Sequence, residues 1–418
     1  MNNVVALGVD GMEPELVERW TDAGKLPNIA RLRQDGAYGT ARCRSLVSAQ
    51  QWTTHFTGVD ADRHGISGFR RANGNATDSI DSKGITPQIN QLINLSDISI
   101  LTYPELLNQA DISTGLVNPM PLWPPLQLSK GYCVSGMLTP PESDQWHYPE
   151  EIGTVLDEVG YRIDIKYSNR PYGFVDDDLL SEVDLETLRK DMFDVLRRRI
   201  ETTKRLMNDR PTDLTYVLLK SIDVIQHVYW AHMELESSEF NSTILDSYQI
   251  VDDFVGWIQD NVENTTILMF SDHGFGAKES PPPAVEKIGL RAANLLPVVP
   301  TPIKHVYKSL ASKNSAEDDN IEQLTGDHSN PAVWMLDGPK VESASDITVG
   351  FEDLTPTILA LLGAKIPQEY IGTPISSVLS VEPQSQSVDL ETTRNLSIDP
   401  DEVVTDRLHN LGYADFVE

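Results

Sequence analysis

Three carboxylates and three imidazoles stand in this chain where a metal ion could collect them. Ser271-Asp272-His273-Gly274 follows the short, apolar and partly β-branched run 265–270, so an Asp and a His meet where a buried parallel strand ends in a loop. Asp10 follows a similar run at 4–9. Asp223 and His227 come just after the apolar run 214–219, four residues apart, a spacing that puts both on one side of a helical turn. His328 follows Gly326-Asp327 and precedes the apolar run 332–336. Carboxylate oxygen and imidazole nitrogen are a ligand mix for a divalent metal. Each site also has a plainer reading: an Asp beyond a strand caps a helix, and an Asp and His four apart form a helical ion pair.

Ser48 adds a hydroxyl. It stands as the natural N-cap of a helix that Gly58 closes. There it receives the positive end of the helix dipole, a setting that stabilises an alkoxide or a bound phosphate, although most capping serines only cap. Taken together, six Asp and His ligands divide into two sets of three, which suits two metals. Two divalent ions about 3.5–4 Å apart clamp the attacking and leaving oxygens of an in-line displacement at phosphorus. A serine hydroxyl on one of them would be the nucleophile. The ligand mix favours zinc, with manganese next.

The elements that must carry these residues alternate from the start. Strands are predicted at 4–9, 114–117, 132–137, 161–167, 214–219, 265–270 and 332–336, and helices at 14–20, from 26, at 180–208, at 355–362 and at 402–411. That rhythm predicts a three-layer α/β/α sandwich with a mostly parallel central sheet, in which ligands gather at the carboxyl ends of strands. One domain spanning 1–418 is expected, with insertions at 120–210 and 276–324, the second a candidate lid, and a flexible polar segment at 380–397.

Composition bounds the partners. The 33 Lys and Arg against 63 Asp and Glu leave a formal net charge of -30, spread along the chain. A nucleic acid held as a structural partner would need a basic footprint, and none is present. Such a surface suits a protein kept soluble in very salty cytoplasm, or an ordinary acidic enzyme. Two cysteines, Cys43 and Cys133, make neither a disulfide framework nor a zinc cluster, which points to a reducing compartment. No basic leader and no apolar run near the ~20 residues of a membrane span is seen, so a soluble cytoplasmic protein is expected.

In order along the chain stand Gly8-Val-Asp10-Gly, Leu26-Pro-Asn28, Trp52-Thr-Thr54, Thr57-Gly58, His64-Gly-Ile66, Asp223 with Gln226-His227, Ser271-Asp-His-Gly-Phe-Gly276, Gly326-Asp-His328, Asp353-Leu-Thr-Pro-Thr-Ile358 and a closing Leu411-Gly-Tyr413. This ordered set resembles the type I phosphodiesterase/nucleotide pyrophosphatase family of the alkaline phosphatase superfamily, over most of the chain.

The resemblance implies that Asp223, His227 and His328 hold one metal and that Asp10, Asp272 and His273 hold the other. It places Ser48 at the nucleophile position, where such families commonly carry Thr, and bound to a metal. Gln51 falls where some members have an Asn that contacts a phosphoryl oxygen. It implies an alkaline phosphatase-like fold and hydrolysis of phosphodiester or pyrophosphate bonds in small, nucleotide-type substrates through a phosphoserine. A phosphomonoesterase or phosphomutase on the same core, or a non-catalytic metal-binding protein, are the alternatives. A sulfatase is disfavoured, because Cys43-Arg-Ser45 lacks the Cys-x-Pro-x-Arg pattern. His64 and Trp52 are read as structural, and the oligomeric state is left open.

Overall fold

The computed structural model describes residues 3–69, 92–140, 143–165, 180, 183–278 and 325–394. The first strand, β1 (Asn3–Val9), lies at the middle of a nine-stranded sheet and alternates its side chains between two cores. Val4 and Ala6 pack into one core, and Val5, Leu7 and Val9 into the other. A sheet buried on both faces accounts for the unbroken apolar runs.

The second face is covered by α1 (Pro14–Asp22) and α2 (Pro27–Asp35). The chain then forms β2 (Ala37–Arg42), followed by α3 (Ser48–Thr57), the short α4 (Ala61–His64) and α5 (Tyr103–Gln109). α3 and α5 bury Trp52, Phe56, Tyr103 and Leu107 on the first face. Next come β3 (Thr114–Val117), β4 (Gly131–Val134), β5 (His147–Tyr148), α6 (Gly153–Val159) and α7 (Leu185–Asp209). After them lie β6 (Leu214–Leu219), α8 (Ser221–Glu234), α9 (Thr243–Asn261) and β7 (Thr265–Phe270). A two-stranded pair, β8 (Gly274–Ala277) with β9 (Gly326–Ser329), stands outside the sheet. The sheet is completed by β10 (Ala332–Asp337) and β11 (Ala344–Gly350), and α10 (Leu354–Leu361) returns to the first face.

Strand order across the sheet is β11-β2-β10-β7-β1-β6-β3-β4-β5. Only β10 and β5 run against the other seven. The expected three-layer sandwich with a mostly parallel sheet is what the chain forms. Among the described residues, no helix is long and apolar enough to cross a membrane.

Several local expectations need correction. Residues 161–165 form no strand: Arg162 is tied to Asp191 and Asp194 of α7, which holds the segment against that helix. The long helix starts at Leu185 rather than 180, because the Asp184 carboxylate accepts the N–H of Thr187 and caps it there. The stretch 120–210 supplies β4 and β5 to the edge of the central sheet and lays α7 on its face.

The segment expected to be flexible is anchored over residues 380–394. Leu390 is buried, its carbonyl accepts the N–H of Leu101, and Arg394 grips both oxygens of Glu105 at 2.6 and 2.8 Å. Its polar composition concealed a few apolar anchors and one bidentate ion pair. Of the candidate lid at 276–324, residues 279–324 lie outside the described residues, as do the helix at 402–411 and the Leu-Gly-Tyr tail.

Candidate metal centre and nucleophile

Register brings the candidate residues together. β1 pairs with β6 on one side (Val9 opposite Leu219) and with β7 on the other (Gly8 opposite Phe270). The residues that leave these three strands at their carboxyl ends, Asp10, Ser221–Asp223 and Ser271–His273, therefore emerge side by side. Gly11 turns the chain after Asp10 at φ +68°, and its N–H donates to Asp272 Oδ1 at 3.3 Å. The carbonyl of Gly11 accepts from Gln226, whose other amide atom accepts from the Tyr248 hydroxyl. His227 lies one turn beyond Asp223 on α8, and His328 arrives on β9.

The six candidate residues fall into two groups, each with its ligand atoms close enough to share one metal ion. In the first, His227 Nε2 is 3.4 Å and His328 Nε2 3.1 Å from Asp223 Oδ1, and the two nitrogens are 2.9 Å apart. In the second, His273 Nε2 is 3.5 Å from both Asp10 Oδ1 and Asp272 Oδ2. The groups meet at His273, whose Nε2 is 4.0 Å from Asp223 Oδ1. The second group is fully buried, whereas the side chains of His227 and His328 are 23% and 22% exposed, so solvent reaches the centre from their side.

The chemistry of these atoms fits cations between them. Each imidazole turns Nδ1 to a backbone carbonyl: His227 to Gly326, His328 to Leu46, and His273 to Gly274, at 2.7–2.9 Å. A carbonyl only accepts, so Nδ1 carries the hydrogen and, in the neutral ring that binds a metal, Nε2 turns a lone pair inward. Facing those lone pairs are Asp10 Oδ1, Asp223 Oδ1 and Asp272 Oδ2, buried and accepting no hydrogen bond. Bonds of ~2.0–2.2 Å to a tetrahedral metal imply ligand edges of about 3.3–3.6 Å, and the 3.5 Å edges of the buried group match.

With protons as the only cations, the crowding appears as displaced pKa values. Burial, then the charges of Asp272 and Asp223, hold the Asp10 carboxyl well above its ordinary range. Burial pushes Asp272 up to about 6 and His273 down to about 4. Against burial, Asp223 pushes His328 up to about 10, while His227 and His328 hold Asp223 well below the usual carboxylate range. Asp223 is neutralised by imidazolium; Asp10 and Asp272 are the surplus negative charge that calls for a cation.

Ser48 is the first residue of α3, and Val47 rather than Ser48 occupies the cap position. The Val47 carbonyl takes the N–H groups of Gln50 and Gln51. The Ser48 hydroxyl, relieved of capping, lies 3.2 Å from His273 Nε2, where the two ligand groups meet. Gln51 is buried one turn further on, and its amide donates to the Asp272 carbonyl at 3.4 Å. His64 accepts from the Ile66 N–H and pairs with Thr54, a structural role.

Sequence reasoning missed two supports. The indole N–H of Trp52 donates to Asp10 Oδ2 at 3.2 Å; its place one helical turn after Ser48 was the available signal. Glu13 accepts the N–H of Phe275 at 2.5 Å and the Ser329 hydroxyl at 3.4 Å, which clips the β8–β9 pair, and so His328, onto the loop after β1. Nothing in the local sequence marked it.

Residues 4–286 match the type I phosphodiesterase/nucleotide pyrophosphatase family, and the chain belongs to that family. No curated protein matches it. Among solved structures it is similar to alkaline phosphatase PafA in a form with four substitutions, at 15% identity over 90% of this chain and 98% of that one, with a TM-score of 0.55. The wild-type form of the same protein gives 0.51 with the same coverage and identity. Human ectonucleotide pyrophosphatase/phosphodiesterase 5 is 13% identical over 92% of this chain and 97% of that one, with a TM-score of 0.45. The PafA likeness shows the alkaline phosphatase-like fold, and membership of the family supports phosphoester hydrolysis.

Proposed function

We propose that this chain hydrolyses phosphodiester or pyrophosphate bonds in small, nucleotide-type substrates through a covalent phosphoserine at Ser48. Asp223, His227 and His328 hold one divalent ion and Asp10, Asp272 and His273 the other, zinc before manganese. The observation that carries this reading is the Ser48 hydroxyl at the junction of two lone-pair clusters, 3.2 Å from His273 Nε2.

Two bound ions would polarise the phosphoryl oxygens and lower the pKa of the serine hydroxyl. The chain's own groups do the rest. The amino end of α3 places the positive end of its dipole at Ser48 and so favours the deprotonated oxygen. Ser48 Oγ attacks phosphorus in line, the Oγ–P bond forming as the bond to the leaving group breaks. Water then cleaves the Oγ–P bond and restores the serine. The Gly326, Leu46 and Gly274 carbonyls keep the three imidazoles in the ligating tautomer throughout. Gln51 steadies the Asp272 backbone and, by a turn of its amide, donates to a phosphoryl oxygen.

The net charge of -30 supports a protein that works in a salty cytoplasm, and the deciding assay is run accordingly. Bis-p-nitrophenyl phosphate and p-nitrophenyl phosphate are compared in molar potassium chloride with zinc or manganese, for wild type and Ser48→Ala. Diester turnover that vanishes in Ser48→Ala supports the reading. Monoester turnover alone would replace it with a phosphomonoesterase, and two bound ions without turnover of any diester or dinucleotide would make the chain a metal-binding protein.

A further inference from the structure

We propose that Trp52 is a positioning residue for the buried ion: its indole N–H holds one oxygen of Asp10 so that Asp10 binds the metal through the other oxygen alone. The inference rests on the two-ion reading above. Both carboxylates of the buried group are tied by one oxygen only. Asp272 Oδ1 accepts the Gly11 N–H, and Asp10 Oδ2 accepts the Trp52 indole at 3.2 Å. Their second oxygens accept nothing and stand 3.5 Å from His273 Nε2. An indole suits this task, because it only donates, carries no charge and cannot compete as a ligand.

The ring is held from every side. It is fully buried, with its centroid 5.6 Å from Phe270, 6.0 Å from His55, 6.1 Å from Phe351 and 6.4 Å from Tyr216. Gly8 makes the space for it: a Cβ there would lie 2.8 Å from the indole. Ser48 and Trp52 occupy one face of α3, a turn apart. One rigid helix therefore carries both the nucleophile and the clamp on Asp10, a ligand of the ion beside it.

The test is Trp52→Phe, which keeps a ring and removes the donor. Ion number and affinity are measured by competition with a fluorescent zinc chelator, and Trp334→Phe is the control. Trp334 is equally buried, and its indole donates to the Ile347 carbonyl, away from the site. Wild type and the control should bind two zinc ions. Trp52→Phe should keep one at wild-type affinity and hold the other about 10–100-fold more weakly, the usual effect of losing such a partner. The cobalt-substituted variant should show an altered d–d spectrum.

Wild-type protein with ¹⁵N-labelled tryptophan gives an independent reading that survives if the variant does not fold. One of the seven indole N–H resonances should shift on adding zinc. Wild-type affinity for both ions in Trp52→Phe, or no indole shift in wild type, overturns the inference. A wild type that binds fewer than two ions overturns the two-ion reading instead, and this inference with it.

Discussion

His55 should make this protein lose stability in acid, and the size of the loss can be worked out. Its ring lies in the first-face core, where burial pushes its pKa down to about 3. The Thr355 hydroxyl donates to the His55 carbonyl and faces Nδ1 at 3.0 Å, and the Tyr103 hydroxyl meets Nε2 at 3.4 Å. Both hydroxyls can donate or accept, so it is burial away from water, and not a clash of hydrogens, that disfavours the charged ring. Unfolded, the same residue titrates near 6.5.

Between pH 6.5 and 3 the unfolded chain therefore binds a proton that the folded chain refuses. Stability is complete above pH 6.5 and falls with pH, with a slope that approaches ~1.4 kcal/mol per pH unit for one histidine. From pH 6.5 to 5 that is roughly 2 kcal/mol, against a total of ~5–15 kcal/mol for a typical domain. His64, which burial pushes down to about 4, adds a contribution of the same sign. Asp272, pushed up to about 6, works the other way, because its folded form holds a proton that the unfolded chain has released. The comparison must therefore be a difference. Urea unfolding of wild type and His55→Gln, at half-unit steps from pH 7 to 5 with chelator present, should give slopes that differ by about 1.4 kcal/mol per unit in the lower half of the range. Parallel slopes would refute the argument, whatever the absolute stabilities.

Three shorter expectations concern the site. Glu13→Ala leaves the buried N–H of Phe275 without an acceptor, which should cost about 1–3 kcal/mol in urea unfolding. It should also weaken ion binding by the group that contains His328, read by chelator competition. Gly8→Ala drives a methyl into the Trp52 indole and should cost about 1–3 kcal/mol by overpacking, seen as a lowered melting temperature with chelator present. Zinc at 100 times its dissociation constant should add ~2.7 kcal/mol to the unfolding free energy. Its binding should release protons near neutral pH, because His328 titrates at about 10 and must give one up, so affinity rises with pH. Calorimetry in two buffers of different ionisation enthalpy measures that release, and identical heats would count against it.

What could be read in advance follows from where side chains point. The runs 4–9, 214–219 and 265–270 are largely apolar because both faces of their sheet are covered, and each ends at candidate site residues. The elements that escaped notice lack that signature. β2 is Ala-Tyr-Gly-Thr-Ala-Arg, where Gly39 must be small because the β11 backbone crosses it: a Cβ would lie 1.9 Å from the Ile347 carbonyl. β11 is an edge strand with polar Ser345 and Asp346, and β8 and β9 are four residues each without alternation. The Ser48 cap was misplaced because a backbone carbonyl, that of Val47, took the N–H groups that a capping side chain would have claimed. Trp52 and Glu13 act through partners far along the chain, and no local pattern encodes such pairs.

The β8–β9 pair has a further consequence, for engineering. Its four rungs run from Gly274 opposite Ser329 to Ala277 opposite Gly326, and the Lys278 N–H donates to the Thr325 carbonyl. The chain thus leaves and re-enters at neighbouring points, with the ligands already placed on the near side of the doorway. For a flexible connection between such ends, a tenfold shortening lowers the closure entropy by about 2 kcal/mol. The doorway is therefore a cassette boundary. Segments from other members of the family can be grafted there and compared over unchanged β8 and β9 strands.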